Sequence, residues 1–187
     1  FIKKYESYIL NYLKAYNLTK ADKLLESEHY FKTAIVLNKN FWQSYDFLFK
    51  QYDKQSRITE FKELLTKANI IFKNNSILSY YESLYYFRVK NYSKSLSILS
   101  DKNLSTKILK EQSDIVKADY FHLLSRVNEK LGNFDKSYTF AIERNKIILN
   151  YKENKKYNKQ LILDTISVYK NFFDKKNKSK LSNISEG

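Results

Sequence analysis

A short motif occurs twice in this 187-residue chain, and it constrains the fold more than any other feature. The clear copy, at 129–137, reads EKLGNFDKS, and the second copy, at 87–95, reads FRVKNYSKS. Each is typical of a helix end, a tight turn, an aromatic residue and the start of a second helix. Apolar residues recur at helical spacing along the chain, without strand-like alternation. The sequence therefore predicts an all-α fold, a right-handed α-solenoid of helix pairs.

The positions of the turns divide the chain into units, two of which begin 34 residues apart. The predicted units are a degenerate first helical repeat at 1–41, a repeat at 42–75, a repeat with a longer connection at 76–117 and a repeat at 118–151. The amphipathic segment 152–175 is predicted to be a C-terminal capping helix, because the last unit of a solenoid needs its open face covered. The polar residues 176–187 are predicted to be a linker or tail.

The 34-residue period and the residue pattern resemble the tetratricopeptide repeat. That repeat has small residues where its two helices cross, and this sequence supplies Ala15, Ser83, Ser95, Ser125 and Ser137. The second unit departs from the pattern, with Phe49 and Phe61 at those positions. The repeat also has glycine at its turn, which Gly132 matches, while Ser56 and Lys90 stand as substitutes. The resemblance implies an interaction module that binds a protein or peptide on its concave surface.

A longer resemblance covers most of the chain. Its stretches are 41–42, 48–53, 60–65, 130–136 and 182–187. They are similar to the tetratricopeptide region that precedes a sulfotransferase domain in certain bacterial proteins. The resemblance implies that this chain is the non-catalytic N-terminal part of a larger protein. In the alternative function that it suggests, the chain is an accessory domain that positions substrate for a catalytic domain after Gly187.

Composition argues against chemistry within the chain itself. There is no cysteine, only two histidines, and a single internal glycine. Thiolate catalysis, thiolate metal sites and glycine-rich phosphate loops therefore lack their residues. No His–carboxylate–nucleophile set has a sensible spacing, and the adjacent Glu28 and His29 are interpreted as a surface pair. We expect no catalytic, cofactor-binding or metal-binding residues, no membrane span, and a cytoplasmic location.

The net charge of +14 raises the question of nucleic acid. Four arginines carry little of that charge, which is mostly dispersed lysine. Arginine is the residue that recognises bases and phosphates bidentately, so specific nucleic-acid binding is not expected. The bias of an AT-rich genome towards lysine, asparagine, isoleucine, tyrosine and phenylalanine is therefore the favoured explanation of the charge. A basic nucleic-acid adaptor is the least favoured of the three functions considered.

A candidate groove follows from the register of the units. The first helix of each unit lines the inner surface of such solenoids, and its exposed positions there are Lys50, Tyr80, Phe87, Arg88, His122 and Arg126. Basic and aromatic side chains together would suit a peptide with an apolar anchor and acidic flanks. Two alternatives stay open: the aromatic residues could pack between helices, and the His122–Arg126–Lys130 stripe could be a solvated face paired with Asp119 and Glu129.

Overall fold

The structure, a computed structural model, describes residues 2–73, 75–150 and 167, with side chains from residue 7 onward. Within that part the chain is all-α, with nine helices and no strand. The helices are α1 (Ile2–Lys20), α2 (Leu24–Leu37), α3 (Trp42–Lys54), α4 (Ile58–Ile71), α5 (Ser76–Arg88), α6 (Tyr92–Leu99), α7 (Lys102–Glu111), α8 (Asp114–Lys130) and α9 (Phe134–Asn150). The predicted capping helix at 152–175, apart from residue 167, and the predicted tail at 176–187 lie outside the described residues.

The same turn joins the two helices of four pairs. In each turn one residue has a left-handed backbone with φ between 57° and 76°, and these residues are Asp22, Ser56, Lys90 and Gly132. They lie 34, 34 and 42 residues apart. In all four turns the next amide donates to a carbonyl five residues earlier over 2.9 Å, as Asn133 does to Asn128. This is the Schellman arrangement, which satisfies the last carbonyls of a helix.

The two helices of each pair meet at positions twelve residues apart. Ser83 and Ser95 are both fully buried, and their hydroxyls lie 2.9 Å apart. Ser125 and Ser137 repeat this contact at 3.2 Å. The second pair has Phe49 and Phe61 here, with ring centroids 5.0 Å apart and both rings buried. Both positions are large in this pair and small in the others, so two tilted rings pack at the crossing where two serines meet elsewhere.

Successive helices contact one another from α1 through α6, and α9 packs on α8. The third pair carries an additional helix, because α6 ends after eight residues and α7 follows. The Asp101 side chain caps α7 by accepting from the amide of Leu104 over 2.8 Å. Leu104 and Ile108, one helical turn apart, are buried as α7 packs against α5, α6 and α8. The longer spacing between the third and fourth turns is thus filled by a helix.

Glu28 and His29 differ in their surroundings, and the prediction of a surface pair is wrong for Glu28. His29 is exposed beside the ring of Tyr30, but Glu28 is only 7% exposed. Glu28 lies on the side of α2 that faces α3, where the Tyr52 hydroxyl donates to it over 2.9 Å and Arg57 forms an ion pair with it. Tertiary packing therefore places a carboxylate in the core where hydrogen-bond donors satisfy it.

Candidate functional site

The six predicted groove residues lie on the first helices of three pairs, α3, α5 and α8. We call the surface they form with three aspartates the α3–α5–α8 face. Its members are Asp46, Lys50, Asp53, Tyr80, Phe87, Arg88, Asp119, His122 and Arg126. Asp46, Tyr80 and His122 occupy equivalent positions, since they are separated by the same 34 and 42 residues as the turns. The repeat register therefore places side chains from distant parts of the sequence on one surface.

Two basic residues of this face form ion pairs with its aspartates. Arg88 on α5 binds Asp53 on α3 through two hydrogen bonds, Nε to Oδ1 at 2.6 Å and Nη2 to Oδ2 at 2.8 Å. Lys50 Nζ lies 2.7 Å from Asp46 Oδ2, and the Tyr81 hydroxyl donates to the other oxygen of Asp46 over 2.6 Å. The two aspartates therefore neutralise positive charge at the α3 end of the face.

Phe87 lies close to both arginines of the face. The guanidinium carbon of Arg126 is 5.7 Å from the centre of the Phe87 ring, and that of Arg88 is 5.9 Å away. Both distances permit cation–π attraction to the Phe87 ring. The Phe87 ring also contacts Tyr92 on α6, with centroids 5.6 Å apart. Phe87 and Tyr80 are half-buried, so each packs between helices and also presents an edge to solvent.

Asp119 and His122 are two polar side chains of the face that have no partner among the described residues. Both are exposed on α8, and within the described residues neither makes a hydrogen bond or ion pair. Desolvation raises the pKa of Asp119, while Lys50, His122 and Arg144 oppose the rise. Desolvation lowers the pKa of His122, and Arg144 and Arg126 lower it further. His122 is therefore a neutral imidazole at pH 7, and the pKa of Asp119 lies above its usual value.

The α8 end of the face carries accessible positive charge. Arg126 is exposed, and its only ion pair among the described residues is a long contact of 3.5 Å from Nε to Glu129. Lys130 also contacts Glu129, at 4.0 Å. The alternative in which Glu129 pairs with the basic stripe therefore holds for these two residues, but both pairs are solvent-exposed and weak. A ligand carboxylate could displace Glu129 from Arg126 at little cost.

Sequence reasoning identified the cations and aromatic residues of this face but missed their partners, Asp46 and Asp53. A signal for them exists in the sequence. The Asp53–Arg88 and Asp46–Tyr81 pairs each span 35 residues, which is one repeat period plus one residue. The first helices of adjacent units lie side by side. A polar residue on one of them can therefore contact a residue about one period later, on the next first helix.

Among the described residues, no group of three histidine, cysteine, aspartate or glutamate side chains could hold a metal ion. Nor is any helix in the described ranges both long and apolar enough to span a membrane.

The sequence was also compared with known proteins. No protein-family model matches the chain, and the search of curated proteins finds no significant match. The resemblance to tetratricopeptide regions that precede sulfotransferase domains therefore stays a prediction.

Proposed function

We propose that this chain is a tetratricopeptide-like α-solenoid that binds a peptide segment of another protein on its α3–α5–α8 face. The observation that carries the proposal is the recurrence of one Schellman turn at Asp22, Ser56, Lys90 and Gly132. The same turn in each pair favours a similar arrangement of its two helices. Pairs that repeat one geometry and contact only their neighbours build a curved array, whose first helices share a surface.

The proposed ligand follows from the charges of that face. Lys50 and Arg88 are already paired with aspartates, so they add little attraction for an acidic partner. Arg126 is accessible and lies against Phe87. An acidic residue of the peptide would pair with Arg126, while an apolar residue next to it would pack on the edges of Phe87 and Tyr80. We therefore propose a peptide with one apolar anchor and an acidic residue close to it.

A peptide array tests this proposal, with the Arg126→Glu variant compared with the parent chain. Reversing the charge at Arg126 should weaken binding of acidic, aromatic-containing peptides at least tenfold, because a like charge then faces the ligand carboxylate. The matched control is Lys94→Glu, which makes the same charge change at an exposed position of α6. Equal losses from both variants would show that binding depends only on diffuse charge and would refute the proposal.

A further inference from the structure

A cleft on another side of α3 has the features of a small-molecule site. It lies between α2 and α4, its floor is formed by α3, and its volume is about 320 Å³. The α3 residues of the cleft are Tyr45, Leu48 and Tyr52. At 100° per residue they point roughly 130° away from the α3 residues of the α3–α5–α8 face. The cleft is therefore separate from the proposed peptide site.

Tyr45 is a buried polar side chain without a partner. Only 2% of Tyr45 is exposed, and within the described residues its hydroxyl makes no hydrogen bond. Other buried tyrosines are satisfied: Tyr52 donates to Glu28 over 2.9 Å, and Tyr120 donates to the carbonyl of Leu99 over 2.8 Å. Buried tyrosine hydroxyls usually find such a partner, so the exception at Tyr45 needs a reason.

Tyr45 lines the cleft, and its hydroxyl is not fully enclosed by the fold. Among the described residues, the one fully enclosed side-chain atom without a partner is Ser44 Oγ. The Tyr45 hydroxyl is therefore not fully enclosed, and the cleft is the space that Tyr45 lines. Burial raises the pKa of Tyr45, which keeps the hydroxyl neutral and able to donate.

The rest of the lining defines the size and charge of the ligand. Ile35, Val36, Leu48 and Leu64 provide apolar walls. The four charged residues at the cleft are two of each sign: Lys32, Lys67, Glu60 and Glu63. The cleft has no net charge, so it offers no preference for an ion. A volume of about 320 Å³ lies at the lower end of the range of small-molecule sites.

We propose that this cleft binds a small, neutral, largely apolar molecule whose single carbonyl or hydroxyl oxygen accepts a hydrogen bond from Tyr45. The apolar body fills the space between α2 and α4, where burial of apolar surface drives binding. The hydrogen bond satisfies the one polar group that the fold leaves open at the base of the cleft, and it fixes the orientation of the ligand.

Two probes of matched shape test the proposal on the full chain: acetophenone, which has a carbonyl, and ethylbenzene, which has none. Methyl NMR titration should show shifts at Ile35, Val36 and Leu64 with each probe. The variant Tyr45→Phe keeps the ring and removes the hydroxyl. It should weaken acetophenone binding about two- to tenfold, the value of one hydrogen bond, and leave ethylbenzene binding unchanged.

Other outcomes would overturn the proposal. Equal effects of Tyr45→Phe on both probes would show that the hydroxyl does not recognise the ligand. Methyl shifts elsewhere, or no binding at millimolar probe, would show that the cleft is not a site. The variant should melt at or above the temperature of the parent, because the hydroxyl makes no hydrogen bond within the described fold. A clear loss of stability would instead assign the hydroxyl a structural role.

Discussion

The substitution Glu28→Gln tests whether a buried ion network holds the first two helix pairs together. The Glu28 side chain is 9% exposed and bridges α2 to the following pair. It accepts from Tyr52 over 2.9 Å, from Arg57 Nη2 over 3.2 Å and from Lys32 over 2.6 Å. Glutamine has the same shape and can still accept from Tyr52. It lacks the charge that Arg57 and Lys32 require.

The size of the effect follows from the pKa of Glu28. Desolvation acts to raise this pKa, but hydrogen bonds from Arg57, Lys32 and Tyr52 outweigh it and lower the pKa from 4.5 to about 2. Each unit is worth about 1.4 kcal/mol, so the charged network contributes about 3 kcal/mol at pH 7. Because the folded pKa is the lower one, this contribution is present above pH 4.5 and is lost as the pH falls towards 2.

Urea denaturation followed by far-ultraviolet circular dichroism measures this directly. At pH 7, Glu28→Gln should lower the free energy of unfolding by about 3 kcal/mol, and at pH 3 the difference should shrink to about 1 kcal/mol. The matched control is Glu26→Gln, whose exposed contact with Lys23 is 3.9 Å long. It should cost less than about 0.5 kcal/mol at both pH values. A Glu28→Gln variant as stable as this control, or a difference independent of pH, would refute the reasoning.

Substitutions at two equivalent turn positions should have opposite effects, because only glycine adopts a positive φ freely. Lys90→Gly should raise the free energy of unfolding by about 0.5 kcal/mol, whereas Gly132→Val should lower it by about 1–2 kcal/mol. Thermal melts measure both, and signs opposite to these would contradict the shared turn. Phe49→Ala should cost about 3–5 kcal/mol by urea denaturation, since it leaves a cavity beside the buried Phe61 ring; a cost below about 1 kcal/mol would contradict that packing. Because the pKa of His122 lies below its usual value, His122 is neutral at pH 7, so calorimetry on His122→Gln should give an affinity for an acidic peptide within about twofold of the parent at that pH, and a larger loss would contradict this.

The sequence predicts the fold class and the turn around Gly132, but not the additional helix α7. Helical periodicity predicted the all-α class, and the motif around Gly132 predicted the turn geometry. The same turn at Asp22 was harder to recognise, because aspartate is only an occasional left-handed residue. The helix α7 had readable signals in its capping residue Asp101 and in the pair Leu104 and Ile108, one turn apart. A repeat-based alignment treats such an insertion as a connection, so those signals were missed.

The candidate face shows a different limit. Periodicity assigned six side chains to the first helices, which is a property of the repeat register. Whether Arg88 is free or bound to Asp53 depends on distances between helices that a register does not supply. The open hydroxyl of Tyr45 is a still finer property, because it depends on whether a neighbouring group lies within hydrogen-bond reach, and none does among the described residues. A sequence pattern can identify which residues share a surface, but only the three-dimensional structure shows whether a polar group has a hydrogen-bond partner.

The most direct test of the central claim is amide chemical-shift mapping of the chain with an array-selected peptide that contains one aromatic and two acidic residues. We expect the amides with shifted signals to lie mainly on α3, α5 and α8. The Arg126→Glu substitution should abolish these shifts, whereas Lys94→Glu should leave them in place. Shifts spread over α2, α4 and α6, or shifts that Lys94→Glu reduces as much as Arg126→Glu does, would contradict the claim that this face binds peptides.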